Sequence, residues 1–295
     1  MKRMNKRTLR NNISGMAFVL PSLACLAIFM ILPICKGLYF AFTRYNGNIG
    51  PDWTGLQNFK TVLNDTGVKY ALWNTVKFVL LSVPITTSVS LVLAALIAMN
   101  FRGRFGAFTR ACLFIPVVTS NAIVASIWYT MFNGDPNAVV NSIISWFGIA
   151  PKQWLGHSAT AFGAVTFVTI WKGIGYYMVI FYAALMDVPK SNMEAAELDG
   201  ANKVQQFFHI MLPAVRPVTY TVITLNTIAS FGIFDIVYTM TAGGPGFATT
   251  TLLQQIYNEG FRNYKFGYAS AIAFIMLVLV LILTLVERKV FDKDD

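Results

Sequence analysis

Six stretches of this chain are apolar enough and long enough to cross a lipid bilayer, more than the interior of a soluble domain this size can hold. A spanning helix needs about 20 predominantly apolar residues. Such runs lie near Met16–Phe40, Thr75–Met99, Ala111–Met131, Ala159–Met186, Pro217–Met240 and Tyr268–Leu285. Charged residues make up 12% of the chain and hydrophobic ones 56%, whereas ordinary soluble domains carry about 25% charged residues. Backbone groups in lipid must be satisfied within the segment, so each run is expected as a helix. The expected fold class is an all-α polytopic membrane protein with six transmembrane helices, forming a single membrane domain over residues 1–295.

The net charge of +10 does not point to nucleic acid, because the basic residues cluster beside the spans. Lys2, Arg3, Lys6, Arg7 and Arg10 precede the first span; Arg102, Arg104 and Arg110 follow the second. Lys190, Lys203 and Arg216 lie after the fourth, and Arg288, Lys289 and Lys293 after the sixth. The alternate loops are leaner, with Arg44, Lys60 and Lys69, then Lys152, then Arg262 and Lys265. This bias places both termini in the cytoplasm, and an even number of spans requires them to share a side. The basic start followed by an apolar run imitates a secretory signal, but the run is too long and reads as an uncleaved first span. Cys25, Cys35 and Cys112 sit in apolar runs, where they read as small buried hydrophobes. They form neither a disulfide framework nor a metal-ligand spacing.

One polar insert interrupts this pattern on the inner side, from Pro189 to Pro213. Ser191 and Glu194 have capping-box spacing, which predicts a helix through Leu198. Gly200 supplies the backbone freedom to stop it. A second piece, Asn202–Met211, carries Val204, Phe207, Phe208 and Met211 as an apolar stripe expected to lie against protein. Ala195 and Ala196 are small enough to let another backbone approach, and Glu194, Glu197 and Asp199 add negative charge to a basic face. The residues alone leave two readings open: a capped helix resting on the membrane surface, or a surface presented to a partner.

The run Glu194-Ala195-Ala196-x3-Gly200-x9-Ile210-x-Leu212-Pro213 resembles the signature loop of the permease subunits of bacterial ABC importers. Gly55-Leu56-Gln57-Asn58-Phe59, Asn74-Thr75, Asp199-Gly200-Ala201, Thr241-Ala242-Gly243-Gly244-Pro245 and Ile256-Tyr257 resemble the carbohydrate branch, of the maltose, multiple-sugar and glycerol-phosphate kind. The extra N-terminal spans and large external insert of the enterobacterial maltose protein have no counterpart here. The resemblance covers nearly the whole chain and implies the type I ABC importer permease fold. It implies a permease core over 70–287 and a cytoplasmic coupling loop over 189–213. In that loop Glu194, Ala195, Ala196 and Gly200 would dock an ATPase, with Ile210, Leu212 and Pro213 anchoring the segment. The implied partners are a second homologous permease, two ATP-binding subunits, an extracytoplasmic solute-binding protein and a sugar substrate. The implied location is the bacterial cytoplasmic membrane. No cofactor is expected in this chain, since ATP and Mg would be held by the partners.

The chain lacks the Gly-x4-Gly-Lys-Ser/Thr run that cradles phosphates, and it has only two histidines, His157 and His209. No catalytic or metal set is apparent, which argues against an intramembrane enzyme. The spans are nearly free of Asp and Glu, which argues against an ion-coupled carrier. Lys172 stands out beside Trp171 in the fourth span, where a charge costs roughly 2.5–3.5 kcal/mol on insertion scales. It either faces a cavity or bonds a carbonyl structurally. Tyr176 and Tyr177 follow one turn later, and either stack on a sugar or pack. Thr219, Asn226 and Ser230 share a face of the fifth span, and Asn226 and Ser230 are expected to line the path. Asp235 reads as a cap or a gate.

Overall fold

The structure, a computed structural model, describes residues 6–48, 50–101 and 103–291, with side chains described from residue 16 onward. Of the basic flanks, Lys2, Arg3, Arg102 and Lys293 lie outside the described residues, as do the side chains of Lys6, Arg7 and Arg10. The chain divides into two compact units: residues up to 63 with 257–274, and residues 64–256 with 275 onward.

In the first unit, α1 (Lys6–Leu26) passes through one π-helical turn, Ala27–Ile31, into α2 (Leu32–Ala41). The turn ends on Leu32-Pro33, where proline has no N–H to continue an α ladder. The Leu32 N–H instead donates to the Ala27 carbonyl. A two-stranded hairpin follows, β1 (Thr43–Arg44) with β2 (Asp52–Trp53), antiparallel with Thr43 opposite Trp53. It leads into α3 (Gln57–Asn64). Asn58 donates to the carbonyls of Ala41 (2.9 Å) and Thr43 (2.8 Å), tying α3 to the hairpin. Phe59 stacks near Phe42 and Phe274, at centroid distances of 5.1 and 5.7 Å. The Gly55–Phe59 motif is therefore joinery. The most apolar window of the Met16–Ala41 span buries none of its residues within the chain, so that surface is left for lipid or for other subunits.

The second unit begins with α4 (Thr66–Asn100), whose 35 residues reach about 52 Å at 1.5 Å per residue. Asp65 caps it, accepting from the Val68 N–H at 3.2 Å. Then come α5 (Gly103–Val118), α6 (Asn121–Met131), α7 (Val139–Ser145) and α8 (Ser158–Met186). The elbow carries α9 (Lys190–Leu198), α10 (Lys203–Gln206), a π turn at Phe207–Met211 and α11 (Leu212–Ala214). After it run α12 (Arg216–Phe231), α13 (Asp235–Thr241) and α14 (Leu252–Tyr257). The chain then returns to the first unit with a π turn, Asn258–Arg262, and the start of α15 (Phe266–Phe291), whose residues from 275 belong to the second.

Four spans are single helical runs: Met16–Ala41, Thr66–Asn100, Ser158–Met186 and Phe266–Phe291. The third and fifth expected spans are broken instead. α5 and α6 meet at 97°, and α12 and α13 at 43°. Pro116 removes a donor near the end of α5, and the polar trio Thr119-Ser120-Asn121 follows, with Ser120 extended at φ −54°, ψ 139°. At the second break Gly232 ends α12, and the freed Ile233 carbonyl accepts from Thr251 Oγ1 at 3.0 Å.

α8 lies along α4, with one core cluster at each end of the pair. Phe78, Val165, Val168, Val237 and Met240 pack at one end, and Ile97, Met178, Phe181, Met211 and Val222 at the other. Gly175 allows α5 to approach α8 closely, because a Cβ there would overlap the Leu113 carbonyl. Glu287 in α15 accepts from Thr227 (2.7 Å) and Thr224 (3.3 Å) of α12. Asn74 donates to the carbonyls of Phe247 (2.6 Å) and Thr250 (3.1 Å), and Thr75 Oγ1 accepts from the Leu252 N–H at 3.0 Å. Those bonds explain the Asn74-Thr75 motif and tie α4 to the loop after Gly243. The expectation of buried cysteines is corrected: Cys25, Cys35 and Cys112 are free and exposed within the chain. On a span's outer face an apolar side chain needs no protein cover.

Candidate functional site

Both helix breaks open onto one cavity of about 220 Å³ in the second unit. Lys172, Tyr176, Tyr177, Asn226 and Ser230 all line it, as does Asp235. Helix breaks explain why polar groups gather there. The last carbonyls of α5 and the first N–H groups of α6 and α13 have no partner within their own helix, so a cation is favoured at the first and an anion at the others. Lys172, midway along α8, points its Nζ at the Val117 carbonyl near the end of α5, at 3.5 Å. Asp235 sits in the first turn of α13 and accepts from Asn121 Nδ2, in the first turn of α6, at 3.0 Å. The two readings of Lys172 are thus compatible: it meets a free carbonyl and faces the cavity.

The wall opposite α8 is a polar ladder between α4 and α12. Asn226 Nδ2 donates to the Val83 carbonyl at 3.4 Å, and Ser230 Oγ lies 2.9 Å from Ser82 Oγ. Asn226 and Ser230 are only 5% and 4% exposed, so the ladder satisfies groups that lipid would leave unpaired. Tyr177 is buried, Tyr176 is exposed, and their rings meet edge-on at 5.1 Å. Thr219 lies apart from the cavity and bonds back to the Val215 carbonyl. Ser82, Thr86, Asn121 and Thr169 also line the cavity and escaped the sequence reading. A signal existed: Thr75, Ser82, Thr86 and Ser90 recur on one face of α4 in an otherwise apolar span.

The elbow stands at the far end of α8. Its first helix, α9, buries no residue, and Leu198 at its tip is 89% exposed. The expected Ser191–Glu194 capping box does not form. The helix starts at Lys190 with Pro189 at the cap, which makes no side-chain cap bond. The restricted φ of proline suits a helix start, and Ser191 is already helical. The box forms one helix later: Asn202 Oδ1 accepts from the Gln205 N–H (2.9 Å), and Gln205 Oε1 from the Asn202 N–H (2.8 Å). Gly200 does end α9, at φ +82°. The Ala201 N–H reaches the Ala196 carbonyl (2.9 Å) and the Gly200 N–H the Glu197 carbonyl (3.1 Å), a Schellman closure.

The expected apolar stripe splits. Met211 is buried and Phe207 packs beside it, whereas Val204 and Phe208 are exposed. Val204 and Phe208, four residues apart, make one strip and Phe207 and Met211 the neighbouring one, and only the second meets the core. Glu194, Ala195 and Pro213 are exposed, and Leu212 packs on the core. Ala196, Gly200 and Ile210 line a groove of about 300 Å³. Lys203 Nζ bonds Asn100 Oδ1 at 2.5 Å, tying the elbow to the end of α4.

A family model described as the binding-protein-dependent transport system inner membrane component matches residues 90–292. The chain is 30% identical over 286 residues to the probable ABC transporter permease protein YurN of Bacillus subtilis, covering 96% of this chain and 97% of that one. It is 33% identical over 276 residues to the sn-glycerol-3-phosphate transport system permease protein UgpA of Escherichia coli, covering 91% and 90%. Its fold matches a chain of the crystal structure of a bacterial ABC transporter involved in the import of the acidic polysaccharide alginate. That match has a TM-score of 0.86 at 22% identity and covers 97% of this chain and 98% of that one. The likeness extends from the broken spans to the elbow: this chain belongs to the family of binding-protein-dependent transport system inner membrane components and has the type I ABC importer permease fold.

Proposed function

We propose that this chain conducts a carbohydrate through the central cavity, driven from the elbow by ATPase subunits that bind at Glu194, Ala195, Ala196 and Gly200. As a family member it is a multi-pass component of the inner membrane and a transport subunit, not an enzyme. The working assembly holds this chain, a second homologous permease, two ATP-binding subunits carrying ATP and Mg, and an extracytoplasmic solute-binding protein. Both termini face the cytoplasm, residues 70–287 form the permease core, and 189–213 is its coupling segment.

The observation that carries this reading is the convergence of Lys172, Tyr176, Tyr177, Asn226 and Ser230 on one cavity at two helix breaks. Broken helices that line a polar cavity are a recurring way to build a substrate site within a membrane. The exposed elbow supplies the second half, because among the described residues nothing covers α9 and its Leu198 tip. ATP-driven closure of the partners would push α9 as a rigid body, and the spans would swing about residues 119–120 and 232–234. Only contacts that differ between the two states can carry such coupling.

Glu194→Lys places a cation on the docking face, and Gly200→Pro removes the N–H and the positive φ that close α9. Both variants are expected to insert normally and to lose ATP-dependent uptake in membrane vesicles at least tenfold. Normal uptake by either would remove the docking role from this loop. A glycerol phosphate is the second reading of the substrate. Lys172 on the cavity wall and the likeness to the sn-glycerol-3-phosphate permease support it.

A further inference from the structure

The central cavity is not the only one along α8. A larger cavity of about 510 Å³ lies at the other end of that helix from the elbow. The 29 residues of α8 separate those two features by about 43 Å. Tyr129 and Phe132 at the end of α6, Tyr238 and Thr241 on α13, and Asn133 and Gln153 on the loop between α6 and α8 line this distal cavity. Among the described residues none of its lining side chains is charged, in contrast to the Lys172 and Asp235 of the central cavity.

The loop that bears Asn133 and Gln153 is built rather than loose. Asn141 is fully buried and holds both ends of it. The two hydrogens of its Nδ2 are shared among the carbonyls of Asp135 (2.9 Å), Lys152 (3.2 Å) and Asn133 (3.3 Å). Its Oδ1 accepts from the Lys152 N–H (3.1 Å) and Trp154 Nε1 (2.8 Å). Gly134 leaves room for the Gln153 carboxamide, which a Cβ at that position would overlap. Phe132 is braced by Trp128 at 5.4 Å and Trp154 at 5.8 Å.

Fixed aromatic rings beside amides and hydroxyls suit a ring with apolar C–H faces and an equatorial fringe of hydroxyls. An anion entering this cavity would lose water without meeting a cation. The volume falls in the range of about 300–1,000 Å³ usual for small-molecule sites. The two cavities also share a wall. Tyr238 of the distal cavity stacks on Phe234 of the central one, at 5.3 Å and 25°. From this juxtaposition we infer that the distal cavity is a second saccharide subsite that takes an uncharged pyranose ring and passes it along the Tyr238–Phe234 stack. The inference rests on the transport reading above and adds a charge selection that the central cavity lacks.

The test uses the assembled importer in lipid nanodiscs without its binding protein, probed by saturation-transfer NMR with glucose and with glucuronate. The glucose signal that Gln153→Ala removes is expected to be saturable and the glucuronate signal it removes at least tenfold weaker, because the central cavity contributes alike to both proteins. Gln153→Ala is expected to weaken glucose at least fivefold. Gln153→Lys is expected to reverse the order of the two sugars, a gain that misfolding cannot mimic. No saturable glucose signal that depends on Gln153, equal Gln153-dependent binding of both sugars, or an order unchanged by Gln153→Lys would overturn the inference. ATP-driven uptake in the same preparation separates the two levels. Uptake with no glucose binding sinks only the distal subsite, whereas uptake that needs no ATPase sinks the transport reading itself.

Discussion

At the scale of single residues, the central cavity depends on groups whose structural and functional parts can be separated by magnitude. Asn226 bonds the Val83 carbonyl and neighbours Ser230. Side-chain hydrogen bonds between membrane helices average only about 0.6 kcal/mol by double-mutant cycles, so losing one does not unfold the protein. Asn226→Ala is therefore expected to keep assembly with the ATPases while uptake falls several-fold; unchanged uptake would take Asn226 off the path. Gly175 is a different case, since a Cβ there meets backbone that cannot move aside. Overpacking of this kind costs typically about 1–3 kcal/mol. Gly175→Ala should lower the thermal unfolding midpoint of the purified protein by several degrees. Gly163→Ala on the same helix meets nothing within 4 Å, so its midpoint should stay or rise.

At the scale of elements, the elbow owes its shape to two short closures, the Schellman turn at Gly200 and the capping box at Asn202–Gln205. Removing an N-cap side chain costs about 0.5–2 kcal/mol, enough to fray a helix as short as α10. Asn202→Ala should speed hydrogen exchange at residues 203–206 and raise the ATP hydrolysed per solute imported. Ser191→Ala should change neither, because Ser191 caps nothing. That contrast also shows where sequence stops being informative. Ser191-x-x-Glu194 and Asn202-x-x-Gln205 both fit the box, but α9 starts at Lys190, before Ser191, so only the second closes. The six apolar runs were legible because length and composition alone fix them, whereas the breaks after Val118 and Phe231 were not. Pro84 lies inside the unbroken α4, while α5, with Pro116, ends two residues later. The second break contains no proline at all: Gly232 ends α12 there, and Thr251 Oγ1 meets the Ile233 carbonyl. Asn226 and Ser230 could be read from their helical spacing. Thr169 was equally legible, since it shares a helical face with Lys172 and Tyr176.

At the scale of the whole molecule, the chain carries a candidate conduit and a candidate lever but no phosphate-binding run to power them. Its first span leaves its apolar surface uncovered, and α9 stands exposed; both faces suit a protein that works inside an assembly. On the proposed function, motion begins outside this polypeptide and enters through Glu194–Gly200. Liposomes reconstituted with both permeases and the binding protein, with and without the ATPase pair, test it most directly. Uptake of labelled sugar is predicted only when the ATPases and internal ATP are both present, and it should be lost again with Glu194→Lys. Full uptake from liposomes that lack the ATPases would mean that the stroke does not enter through the elbow.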